Sequence, residues 1–114
     1  MNKIKINYND LEYMRDRVDY LCRGMNATVK IYSNRETGSI GADVEIISVP
    51  MVNPYKARKV AKDLLVAADI CDYLGETYML ADGSSYYDKR SIDGAKLYAD
   101  LDRIISNSSV LYQF

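Results

Sequence analysis

One stretch, Asn53 to Gly75, sets the terms for everything else in this chain. Asn53 can accept a backbone N–H as an N-cap, Pro54 suits the first helical position, and Gly75 offers a left-handed C′ stop. Between them Ala57, Val60, Ala61, Leu64, Ala68, Cys71 and Leu74 recur at helical spacing, an apolar stripe about six turns long. The other elements are expected to pack beneath that stripe.

Upstream, Lys3 to Tyr8 alternates, with Ile4, Ile6 and Tyr8 on one face of a half-buried strand. Asn9 is expected to cap a helix over Asp10 to Arg23, whose face carries Leu11, Met14, Val18, Leu21, Cys22 and Met25, and Gly24 closes it. Ala27 to Ser33 and Ala42 to Val49 read as the arms of a hairpin turning at Asn34 to Ser39. Centring the turn sets Val29 opposite Val44, Ile31 opposite Ala42 and Lys30 opposite Asp43, so apolar meets apolar and opposite charges meet. A linker from Pro50 to Pro54 leads into the long helix. Glu76 to Leu80 is a short strand and 81–90 a polar loop. Ser91 then caps a third helix bearing Ile92, Ala95, Tyr98, Leu101, Ile104 and Ile105. Val110 to Phe114 is an added strand or a docked tail.

The order strand, helix, strand, strand, helix, strand matches the split βαβ arrangement. The expected fold is therefore α+β: a ferredoxin-like antiparallel sheet with two helices on one face, plus a C-terminal helix and short strand. At 114 residues a single domain spanning 1–114 is expected. Cys22 and Cys71 would lie at opposite ends of an antiparallel helix pair, as two free, buried thiols.

Chemistry is limited by what is missing. The chain has no His, which removes the commonest general base and metal ligand. Neither G-x-x-x-x-G-K-[ST] nor G-x-G-x-x-G occurs, and Gly38-Ser39-Ile40-Gly41 reads as hairpin. Asp43 and Glu45 share a strand face, read as solvated with Asp43 facing Lys30, and Asp82, Asp88 and Asp93 lack EF-hand spacing. A non-enzyme with no cofactor and no metal is expected. No apolar run is long enough to span a bilayer, and Met1-Asn2-Lys3-Ile4-Lys5 lacks the apolar core of a secretory signal. With two cysteines far apart, the expected setting is the cytoplasm.

Two surfaces invite a partner. Aromatic bulk is almost all tyrosine, eleven residues against one Phe and no Trp, and Tyr is enriched where proteins meet. Tyr55, Lys59, Lys62, Val66 and Tyr73 fall on the side of the long helix away from its Ala-rich stripe. Tyr13, Arg17 and Tyr20 form a similar line on the first helix, and Tyr86 and Tyr87 sit in the loop. The expected function is a non-catalytic protein-binding module acting on a larger protein or protein–nucleic-acid complex. A phage or mobile-element inhibitor of a host defence nuclease complex, of the anti-CRISPR kind, would suit this character.

The rival is a nucleic-acid-binding module. Lys56, Arg58, Lys59 and Lys62 crowd the first half of the long helix while Asp63, Asp69 and Asp72 crowd the second, an order that opposes the helix dipole. Direct phosphate contact by the four cations would explain it, as would pairing with acids elsewhere in a chain of net charge −1. Base stacking on the sheet face is disfavoured, since that face offers Asp43, Glu45, Ile47 and Val49. Such a face must bury its apolar residues, under the third helix or in a homodimer.

Overall fold

The computed structural model describes residues 2–47 and 51–113. Its elements are β1 (Ile4–Ile6), α1 (Tyr8–Leu21), β2 (Ala27–Ser33), β3 (Ile40–Ile46), α2 (Pro54–Thr77), β4 (Tyr78–Leu80) and α3 (Gly94–Leu111). The fold is α+β, but it is not ferredoxin-like. β2 and β3 form an antiparallel pair and β1 and β4 a separate parallel pair, linked among the described residues by the bridge Ser39↔Met79 and the bond from the Leu80 N–H to the Gly38 carbonyl (2.8 Å).

The connections explain the difference. A βαβ unit needs a reversing loop on each side of its helix, commonly two to six residues. Here one residue, Asn7, separates β1 from α1, and α2 passes into β4 with none at all. Neither helix has the slack to double back over its strand. α2 runs 24 residues, about 36 Å at 1.5 Å per residue. The molecule's longest extent is 49 Å.

The hairpin register is the expected one: Val29↔Val44, Lys30↔Asp43 and Ile31↔Ala42. Lys30 reaches past Asp43 to the diagonal Glu45 at 3.8 Å, an exposed pair of little energetic weight. β3 begins two residues earlier than expected, at Ile40, and Val49 and Pro50 lie outside the described residues, as does Phe114. The ring of Tyr32 covers its cross-strand partner Gly41, where an added Cβ would collide with it.

Helix boundaries moved for local reasons. α1 is capped by Asn7 rather than Asn9: the Asn7 side chain accepts from Asp10 N (2.8 Å) and the Asp10 carboxylate accepts from Asn7 N (2.9 Å). This reciprocal box draws Tyr8 into the helix instead of the strand. α1 ends at Leu21 with Cys22 as its cap, two residues short of the expected end, and Gly24 takes the left-handed turn beyond it at φ 82°. Gly75, by contrast, is helical, and α2 runs on to Thr77. A Cβ there would make only ordinary contact, 3.4 Å from the Ile40 carbonyl oxygen. α3 is capped by Asp93, which accepts from Lys96 N (3.0 Å), and not by Ser91. It continues through Leu111, so 110–111 form neither strand nor tail.

The core face of α2 is also rotated from the stripe read in the sequence. Asp63, Val66, Ala67, Ile70 and Leu74 face inward, while Ala57 is exposed and Ala61, Leu64, Ala68 and Cys71 are half-buried. Stripe counting weights Ala like Ile, but burial free energy follows area, and Val66 and Ile70 bring far more of it. The core gathers Ile6, Leu11, Met14 and Val18, Val29 and Ile31 of β2, and Ile70, Leu74, Tyr78, Leu97 and Leu101.

Candidate functional site

Four aspartates act as internal fasteners, a role the sequence reading missed. The Asp10 carboxylate, 0% exposed, accepts from the backbone N–H groups of Asn7, Ser91 (2.7 Å) and Ile92 (2.9 Å) and from the Ser91 hydroxyl (2.9 Å). It thereby ties the start of α1 to the segment before α3. Asp63 accepts from Asn26 N (2.8 Å) and from Lys59 Nζ (2.7 Å), fastening α2 to the entry of β2. Asp100 accepts from Tyr73 Oη (2.7 Å), Lys96 and Arg103, joining α3 to α2. Asp69 accepts from Ser108 Oγ (2.7 Å) and Tyr112 Oη (3.2 Å). Burial pushes the carboxyls of Asp10, Asp63 and Asp100 upward, but hydrogen bonds to their ionised forms outweigh it and hold all three below the ordinary 3.8. The clue in the sequence was spacing: Asn7-x-x-Asp10, and Lys59 and Lys96 each four residues before an aspartate.

Several tyrosines expected on the surface are structural too. Tyr13 lies between the guanidinium groups of Arg17 (5.2 Å) and Arg90 (4.3 Å), against Gly94. Tyr73 is half-buried, and its hydroxyl lies 3.2 Å from that of Tyr78. Burial, with these two partners, raises its pKa well above the usual phenol range. Val66, at 2% exposure, is core rather than contact, as the rotation of α2 requires. The line Tyr13, Arg17, Tyr20 therefore breaks up: only Tyr20 is open, with Arg23 over its ring at 5.3 Å.

The loop 81–90 closes over the start of α1. Asn7 and Asn9 donate side-chain N–H groups to the carbonyls of Lys89 (2.7 Å) and Asp88 (3.0 Å). Tyr86 stacks on Tyr8 at 4.8 Å, and Arg35 donates to the Tyr8 hydroxyl (2.8 Å). Beside these lies a small cleft of about 230 Å³ lined by Tyr8, Arg35, Gly38 and residues 80–84. Tyr87, at 97% exposure, projects freely.

The remaining expected residues collect where β3 gives way to α2. Ile46 (65% exposed), Ile47, Met51 (89%), Val52 and Tyr55 (79%) all stand open to solvent. Tyr55 continues into a cleft of about 360 Å³ shared with Arg58, Lys59, Lys62, Tyr112 and Gln113. The Lys59 charge is already neutralised by Asp63, which leaves Arg58 and Lys62 as the cations this cleft presents. Lys56 lies in the first turn of α2, half-buried, its backbone N–H held by the Asn53 side chain (2.8 Å).

Cys22 and Cys71 are both free. Cys22 is buried and Cys71 half-buried, and burial pushes each thiol up to about 11. The Cys71 thiol adds to the rise at Cys22, so the two lie within electrostatic reach and not at opposite ends of the helix layer. The Asn26–Asp63 bonds bring the end of α1 to the middle of α2. Among the described residues, no group of three or more His, Cys, Asp and Glu side chains is placed to hold a metal ion, and no helix is long and apolar enough to cross a membrane. Comparison with protein-family models, with curated proteins and with solved structures yields no match.

Proposed function

We propose that the chain is a non-catalytic protein-binding module whose contact surface is the end of the molecule where β3 gives way to α2. The observation that carries this reading is the run of open apolar side chains, Ile46, Ile47, Met51, Val52 and Tyr55, alongside a cleft bearing two tyrosines and the cations Arg58 and Lys62. Large exposed apolar groups close together along the chain suit a docking surface, and a Tyr and Arg border matches the residues that dominate protein interfaces. The complementary partner is a protein with an apolar patch edged by carboxylates. A phage or mobile-element inhibitor that covers a working surface of a host defence nuclease complex would act in this way.

A second reading rests on the same cleft. Tyr55 and Tyr112 beside Arg58 and Lys62 resemble the combination of aromatic platform and cation that binds single strands. Two measurements separate the readings. A photo-crosslinking residue at position 55 is expected to capture a protein from host lysate, one at position 87 is not, and Met51→Asp with Val52→Asp abolishes the capture. The docking reading is overturned if labelled DNA or RNA binds with steep salt dependence, Arg58→Glu with Lys62→Glu removes that binding, and the Met51 and Val52 changes do not.

A further inference from the structure

The outward side of α2 carries a charge pattern of which, among the described residues, only Asp69 is answered, by Ser108 and Tyr112. Positions 58, 62, 65, 69, 72 and 76 alternate spacings of four and three, the repeat of a helix–helix seam. Arg58 and Lys62 occupy its first half, Leu65 its centre, and Asp69, Asp72 and Glu76 its second half. Arg58, Leu65, Asp72 and Glu76 are exposed. Ala61 and Ala68, half-buried, flank Leu65 with little bulk. Among the described residues Arg58, Lys62, Asp72 and Glu76 form no ion pair; the long helix's own pair is Lys59–Asp63. This order of charge also opposes the α2 dipole, so it does not serve the helix in isolation.

We propose that this ridge is the interface between two copies of the chain, packed with their α2 helices antiparallel across a two-fold axis at Leu65. Reversing one helix about residue 65 brings position 58 opposite 72 and position 62 opposite 68–69. Arg58 then meets the partner copy's acidic half at Asp72, and symmetry repeats the contact at the other end; Lys62 comes beside Asp69, whose carboxylate already accepts from Ser108 and Tyr112 of its own chain. The two Leu65 side chains cover each other at the axis, and the alanines let the backbones come close. A parallel pairing would set cation on cation and acid on acid. A nucleic acid would satisfy the first half of the ridge and be repelled by the second, and an acidic protein would do the same. A second copy of this chain satisfies both halves. The seam shares Arg58 and Lys62 with the docking cleft but not Met51 and Val52, so Met51→Asp with Val52→Asp is expected to leave dimerisation unchanged, and failure of the docking reading and failure of the dimer are told apart.

The test is sedimentation equilibrium of the full chain at low salt over a concentration series. It compares wild type, Arg58→Glu, Asp72→Lys, and an equimolar mixture of the two variants, whose reversed charges face each other at the 58/72 pair. Wild type is expected to dimerise. Each variant alone, its helical circular dichroism unchanged, is expected to dimerise on the order of tenfold more weakly or worse. The mixture is expected to regain a one-to-one dimer of wild-type strength, because each reversed charge meets its opposite; this rescue also shows that both variants are folded. A Leu65→Cys, Cys71→Ser chain is expected to form a covalent dimer on mild oxidation. A wild type that stays monomeric throughout the series, variants that dimerise as wild type does, or a mixture without rescue would each overturn the proposal.

Discussion

Removing the Asp10 carboxylate is the most informative single perturbation. Asp10→Ala takes away one acceptor that serves three backbone N–H groups and one hydroxyl, at distances of 2.7 to 2.9 Å. Hydrogen bonds to a charged acceptor contribute about 1.5–3 kcal/mol each, and a lost helix cap costs about 0.5–2 kcal/mol. Ser91 is exposed, so water can replace part of what its groups lose. The net cost is then about 3–5 kcal/mol, a large share of the roughly 5–15 kcal/mol that holds a domain of this kind together. Urea unfolding followed by far-ultraviolet circular dichroism reads it directly. With a slope of about 1–3 kcal/mol/M, the midpoint falls on the order of 2 M. Ser91→Ala, which deletes only the hydroxyl bond, should cost about 1 kcal/mol, and its effect should vanish in the Asp10→Ala background. An Asp10→Ala cost below about 1 kcal/mol, or full additivity with Ser91→Ala, would show that the fastener contributes little and refute the reasoning.

Acid should unfasten the molecule in a defined direction. Asp10, Asp63 and Asp100 are held below the ordinary 3.8 in the folded state, so as pH falls below that value the unfolded chain takes up protons first. Their contribution is complete above the ordinary carboxylate range and is lost as pH drops through the folded values; Asp63→Asn should flatten the acid limb of a stability–pH profile. Cys22 and Cys71, raised to about 11, should react slowly with iodoacetamide at neutral pH and quickly once urea unfolds the chain. Gly38 and Gly24 both have positive φ, 74° and 82°, but a Cβ at Gly38 would lie 3.0 Å from the Leu80 carbonyl oxygen while one at Gly24 meets nothing within 4 Å. Thermal melts should therefore show Gly24→Ala costing about 1 kcal/mol and Gly38→Ala at least twice that.

The hairpin was legible in the sequence because its register follows from alternation and turn position, which are local. The left-handed turn at Gly24, just beyond α1, was legible for the same reason. The capping box at Asn7 was equally local, and it was hidden only by carrying the strand alternation one residue too far. Tyr55, Arg58 and Lys62 were visible as exposed candidates, but nothing in their spacing showed that Tyr112 and Gln113 of the chain's far end would close a cleft with them. Val66 and Tyr73 were placed outward because an Ala-rich stripe imitates a core face.

The amino-acid sequence by itself determined the elements: three helices, the hairpin and its pairing, and the scarcity of groups for chemistry. Those depend on neighbours within a few positions, where propensity, caps and periodicity act. Only the tertiary structure decided which side of α2 turns inward, that β1 pairs with β4 in parallel, and that Asp10, Asp63 and Asp100 are buried fasteners instead of solvated charge. Each of these is settled by a partner distant along the chain, Asp10 by Ser91, Asp63 by Asn26 and Asp100 by Tyr73. A carboxylate becomes structural only when folding brings enough donors to replace its water.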